Sequence, residues 1–164
     1  MSPYRHGVAA ILFAAAMLVI GPSRAADSDE HFPRFASFKS GETYMREGPS
    51  KETRVKWIYH RKGLPVEVLA KYDVWRRVRD SDGEIGWVHV AMLSGDRMAL
   101  VVGPDNAVAR QEERYGTPVA AEVQPGAIGE LKSCGRLACK IAFGDVEGWI
   151  DRSRLYGVYV NETF

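Results

Sequence analysis

His31, His60, His89, Cys134 and Cys139 are the side chains beyond residue 25 best suited to nucleophilic or metal chemistry. Their spacing argues against both. A Cys–His hydrolase needs an imidazole beside the thiolate, and each of these histidines lies far upstream of the cysteines. HExxH, Walker and GxGxxG patterns are absent from the sequence. His60 and His89 would need ligands from distant segments to hold a metal. Asp80, Asp82 and Glu84 surround Gly83, where turn formation and solvation account for carboxylates. The expectation is a non-catalytic protein with neither metal nor cofactor. Cys134 and Cys139 stand five positions apart around Gly135-Arg136, which is not the CxxC spacing of a redox protein. In an oxidising compartment a turn there brings the Cα atoms within the roughly 4.4–6.8 Å that a disulfide spans. A structural bridge clamping a hairpin is expected.

Recognition chemistry is better supplied. Trp75-Arg76-Arg77-Val78-Arg79 sets an aromatic among cations. In a strand, residues two apart share a face. Val74, Arg76 and Val78 fall on one face, and Trp75, Arg77 and Arg79 on the other. If Val78 is buried without a bulge, Trp75 points outward beside two arginines; with a bulge, Trp75 is buried. Parity leaves both open. An aromatic groove would be assembled from Tyr44, Tyr59 and Trp75, against the alternative of packing across strands. With Arg77 and Arg79 these three make up the candidate ligand-binding set. His60-Arg61-Lys62 adds to the basic surface, or is simply solvated. Trp87 and Trp149 each follow a glycine and are expected to fill the core.

Short elements must carry these residues. The chain has 164 residues, 46% hydrophobic and 26% charged, with a net charge of +1. One ordinary domain or two very small ones fit that length. The balanced charge removes general nucleic-acid binding, which needs an excess of cations against phosphate. Arg5, the apolar run 8–20, Gly21-Pro22 and Ser23-Arg24-Ala25 have the layout of a secretory signal peptide over residues 1–25. A bilayer span takes about 20 apolar residues, more than this run holds. A periplasmic or secreted protein, with no membrane span after cleavage, is expected. Residues 26–34 read as a leader.

Beyond the leader the sequence repeats. Gly83-Glu84-Ile85-Gly86-Trp87-Val88 recurs as Asp145-Val146-Glu147-Gly148-Trp149-Ile150, and Leu93-Ser94-Gly95 as Leu155-Tyr156-Gly157, at one spacing. This divides the chain into a basic copy, 35–97, and an acidic one, 98–164. In the first, strands are expected at 43–46, 55–60, 64–72, 74–79 and 85–89, with a hairpin turn at 80–83 and one helical turn at 91–93. The second copy runs the same way, to a last strand at 158–160. No segment keeps a 3.6-residue apolar period long enough for a major helix.

These landmarks carry a resemblance. Tyr44-Met45-Arg46-Glu47-Gly48-Pro49 resembles the N-x-R-x-G-P start of a bacterial SH3-like (SH3b) domain. Gly63-Leu64-Pro65-Val66, Trp75-Arg76-Arg77-Val78 and Gly86-Trp87-Val88 resemble its later landmarks. The chain is similar to a family of exported proteobacterial proteins with two such domains. Cys139-Lys140-Ile141, Gly148-Trp149-Ile150 and Leu155-Tyr156-Gly157-Val158 carry the likeness in the second copy. That copy departs at Gln111-Glu112-Glu113, which replaces the Gly-Pro turn, and at Ala138, which stands where the first copy has Trp75. The resemblance implies an all-β chain of two tandem small SH3-like, partly open barrels of five strands each. It also implies a binding or scaffolding role, with peptidoglycan or an exported envelope protein as partner. The alternatives are a structural module that binds no wall polymer and an accessory to a cell-wall hydrolase.

Overall fold

Short apolar runs with period-two alternation, cut by glycine turns, form antiparallel strands throughout the part of the chain described. The structure, a computed structural model, describes residues 30–164. The expected signal peptide and the start of the leader lie outside the described residues. The chain is all-β. The first sheet comprises β1 (Arg34–Phe38), β2 (Thr43–Arg46), β3 (Val55–Tyr59), β4 (Pro65–Tyr72), β5 (Trp75–Arg79), β6 (Ile85–His89) and β7 (Leu93–Ser94). Its order is β3-β2-β6-β5-β4-β1-β7. The second comprises β8 (Met98–Val101), β9 (Ala107–Arg110), β10 (Val119–Val123), β11 (Ile128–Cys134), β12 (Ala138–Phe143), β13 (Val146–Asp151) and β14 (Leu155–Tyr156). Its order, β10-β9-β13-β12-β11-β8-β14, is the first order strand for strand. Neither sheet closes on itself. A single 3-10 turn precedes the last strand of each, at Val90–Met92 and Arg152–Arg154.

Three expectations need correction. Each sheet has seven strands rather than five, because β1 and β8 and the two-residue β7 and β14 join it. Residues 158–160 form no strand; pairing ends with β14 against β8. Trp87 and Trp149 are half-buried and lie outside the cores. Alternation explains the last point. Gly86 and Val88 face inward on β6, as Gly148 and Ile150 do on β13, so each Trp faces outward. The inward glycine is imposed by crowding. A Cβ on Gly86 would lie 2.5 Å from Met45 Cγ and 2.8 Å from the Arg46 carbonyl oxygen.

Phe38, Met45, Val66, Val68, Val78 and Val88 fill the first core. Val101, Ala109, Leu131, Cys139, Ile141 and Ile150 fill the second. Cys134 on β11 and Cys139 on β12 face each other in register and are joined by a disulfide, with Cα atoms 4.1 Å apart. The bridged hairpin also receives the C-terminal residue: the Cys134 N–H donates to the Phe164 carbonyl at 3.0 Å, and the Phe164 N–H returns to the Cys134 carbonyl at 3.3 Å.

Side chains tie the two sheets together. The Phe35 ring meets Tyr159 at 4.7 Å and Tyr156 at 5.4 Å between centroids. The Tyr159 hydroxyl donates to Glu67 Oε1 at 3.1 Å, and the Tyr156 hydroxyl to the Arg79 carbonyl at 2.8 Å. Leu100, on β8, packs in the first core. Burial raises the Glu162 carboxyl, but the Arg97 guanidinium and the Tyr159 N–H outweigh it and hold the group below the ordinary carboxylate range.

Candidate binding site

The outer face of β2, β6 and β5 is a ladder of aromatic and cationic residues. Arg46 stands opposite Trp87 across β2–β6, and Trp87 opposite Arg77 across β6–β5. His89 stands opposite Trp75, and continuing the β2–β6 register brings Tyr44 into line with His89. Directly opposed Cβ atoms lie about 4.5–5.5 Å apart. The two rows, Arg46–Trp87–Arg77 and Tyr44–His89–Trp75, therefore form one patch. Arg46 is anchored by Nη1 donating to the Thr53 carbonyl at 2.7 Å. Tyr44 is 40% exposed, and its hydroxyl donates to Glu42 Oε1 at 2.5 Å, a contact that pushes the phenol's pKa up. Arg77 is exposed and forms no ion pair among the described residues.

Trp75 satisfies both halves of its open alternative at once. β5 pairs with β6 without a register shift, and the irregularity lies on β4 between Val68 and Ala70. Val78 is therefore inward and Trp75 outward, on the face of Arg77. Yet Trp75 is only 7% exposed, with its indole edge-on to the His89 ring at 5.4 Å. It is a packed support beneath the patch, not a ligand platform.

The three-aromatic groove does not form. Tyr59 is on the other side of the sheet, against the core, with its ring 4.9 Å from Phe38. Its hydroxyl donates to Asp80 Oδ2 at 2.7 Å, and burial, helped by Asp80, pushes that hydroxyl far up. Arg79 is spoken for as well: Nε donates to Glu67 Oε2 at 3.1 Å. Of the candidate set, Tyr44 and Arg77 share the accessible patch, Trp75 underlies it, and Tyr59 and Arg79 serve the fold. Trp87, Arg46 and His89 are the members that spacing missed. The signal was present in the sequence: Val88, inward by the same alternation as Val78, puts Trp87 on the face of Arg77.

The second sheet builds the same rows with different residues. Arg110 and Lys140 flank Trp149. In the next row Asp151 stands opposite Ala138, and Val108 takes the place of Tyr44. Ala138 leaves a cavity of about 200 Å³ where the first sheet has the Trp75 indole. The Tyr115 hydroxyl donates to Asp151 Oδ2 at 2.7 Å and holds that carboxyl below its ordinary range.

Outward tryptophans on short strands behind a Gly-rich turn bear on the family. Residues 39–95 match the bacterial SH3 domain. The match runs from before β2 through β7, so the whole aromatic–cationic patch lies in the bacterial SH3 domain. No curated protein matches the chain. Among solved structures, it is similar to NlpC2 and NlpC1 of Trichomonas vaginalis, at 13% and 14% identity and TM-scores of 0.34 and 0.35. Those alignments cover 76% and 79% of this chain and 48% of each of the others. An NlpC/P60 family protein of Bacillus cereus ATCC 10987 aligns at 13% identity and a TM-score of 0.34, over 74% of this chain and 55% of that one. The chain spans about half the length of these structures. No helix among the described residues is long and apolar enough to cross a membrane.

Proposed function

We propose that the protein is a non-catalytic cell-envelope module, exported to the periplasm or beyond, that binds peptidoglycan or an exported protein through the outer face of its bacterial SH3 domain. One observation carries this reading: Trp87 lies partly exposed between Arg46 and Arg77 on a face the core does not use. Aromatic and arginine side chains side by side are the usual anchors of recognition surfaces. The ring offers apolar area, and the guanidinium groups offer directed donors for the carboxylates and carbonyls of wall peptides or a protein partner. The Cys134–Cys139 disulfide suits an oxidising compartment. The second sheet, which repeats the strand order of the first, serves as a partner domain.

Retention on purified sacculi tests this. The wild-type chain is expected to be retained, and Trp87→Ala and Arg77→Ala each to lower its affinity about tenfold or more, the size of an interface anchor. Arg79→Ala, whose side chain is committed to Glu67, is expected to lower affinity much less. No retention of the wild-type chain removes peptidoglycan as the ligand, and unchanged retention in both outer-face variants removes the site.

A further inference from the structure

We propose that the cavity beside Trp149 is a binding site for a planar aromatic side chain on a partner polypeptide. The site is in the second sheet, outside residues 39–95. It is independent of the outer-face reading for the first sheet.

The fold contains its own template for the occupant. The strand orders coincide, and so do the registers: Trp75 opposes His89 on β6 as Ala138 opposes Asp151 on β13. In the first sheet the indole fills this place and stands edge-on to the imidazole. In the second the side chain ends at a methyl group, and Ala138, Trp149, Ile150, Asp151, Arg110 and Tyr115 line the space that results. At about 200 Å³ it exceeds the roughly 150 Å³ that admits a benzene ring. The space is therefore large enough for one ring system.

Its walls favour a ring over a hydroxyl-rich ligand. Trp149 and Val108 supply aromatic and apolar surface. Arg110 is fixed by Nη1 donating to the Thr117 carbonyl at 3.1 Å, and Arg154 by Nε donating to the Val102 carbonyl at 2.9 Å. These anchored cations suit the face of an incoming ring. The carboxylates are engaged within the chain. Asp151 accepts from the Tyr115 and Ser153 hydroxyls, and Glu113 from the Leu137 N–H at 3.0 Å. A hydroxyl-rich ligand would compete with these internal donors for the carboxylates; an aromatic ring does not.

The test titrates the full chain, isotopically labelled, with N-acetyl-tryptophanamide and follows the Trp149 indole N–H and the Ala138 and Asp151 amides. Saturable shifts confined to these positions are expected. Ala138→Trp supplies the ring from within, as Trp75 does in the first sheet, and is expected to weaken binding at least tenfold. Ala138→Leu, a smaller change, is expected to weaken it in the same direction and decides the matter if Ala138→Trp does not fold. N-acetylglucosamine and N-acetyl-alaninamide are the controls, expected to give no shift. Absence of shifts with the aromatic amide, equal shifts with the sugar, or unchanged affinity in Ala138→Leu overturns the proposal. Sacculus retention of Ala138→Leu is expected to equal that of the wild-type chain. Peptidoglycan carries no aromatic side chain, so this site and the outer-face site fail separately.

Discussion

Asp151 and Tyr115 show how one substitution changes what a residue does. Asp151 stands where the first sheet has His89, and each caps a 3-10 turn: Asp151 Oδ1 accepts from the Ser153 N–H at 2.9 Å, His89 Nδ1 from the Ala91 N–H at 3.2 Å. Only the aspartate also takes a phenol. The Tyr115 hydrogen bond holds the Asp151 carboxyl below its ordinary range, against the opposing effect of burial, and Asp151 in turn pushes the Tyr115 hydroxyl up. A depressed carboxylate stabilises the folded chain at neutral pH. That contribution is lost as the pH falls from about 4, the unfolded-state value, through the lower folded-state value. Carboxyl titration by NMR is expected to place Asp151 below an ordinary aspartate in the wild-type chain and to move it upward in Tyr115→Phe. An unchanged Asp151 in that variant would assign the shift to the turn alone.

Strands decide more than single residues about where tryptophans go. Gly86 and Gly148 occupy inward positions because the neighbouring strand passes too close for a side chain; a Cβ on Gly148 would lie 2.8 Å from Ala109 Cβ. The tryptophan that follows is sent outward by the pleat. Gly86→Ala is therefore expected to lower stability by about 1–3 kcal/mol through overpacking against Met45. Gly41→Ala, where an added Cβ meets nothing within 4 Å, is expected to stay within about 0.5 kcal/mol of wild type. Urea denaturation of both variants checks this. An equal loss in the two would point to glycine's unfolded-state entropy instead of crowding.

At the scale of the molecule, two sheets near the lower size for independent folding share side chains. Glu67, only 7% exposed, receives Arg79 from its own sheet and Tyr159 from the C-terminal segment. Leu100 crosses into the first core, and Phe35 packs on two tyrosines of the other half. Such sharing predicts one cooperative thermal transition over residues 31–164, with calorimetric and van't Hoff enthalpies in agreement. Tyr159→Phe, which removes a hydrogen bond to a buried carboxylate, is expected to cost about 1–3 kcal/mol while leaving the transition single. Two resolved transitions in the wild-type chain would show that the sheets unfold separately.

Strands β2–β6 and β9–β13, the turn at Asp80–Gly83 and the Cys134–Cys139 pairing were legible in the sequence, because alternation, turn chemistry and short cysteine spacing are local properties; strands β1, β7, β8 and β14 were not, and residues 158–160 form none. The direction of Trp75 was not legible either: parity cannot place a bulge, and the unshifted β5–β6 register is what turns the indole outward. Nor was its burial, because a side chain on an outer face is covered or bare according to what the neighbouring strand sets against it, here His89. Trp87 and Trp149 were misplaced for a related reason. Size suggested the core, but the core had no room at their strands beyond a glycine and a branched aliphatic. Local alternation between glycine turns determines an all-β chain rich in short strands. Which aromatics are surface and which are support was decided by cross-strand neighbours far apart in sequence, and so was the place where Ala138 leaves a cavity.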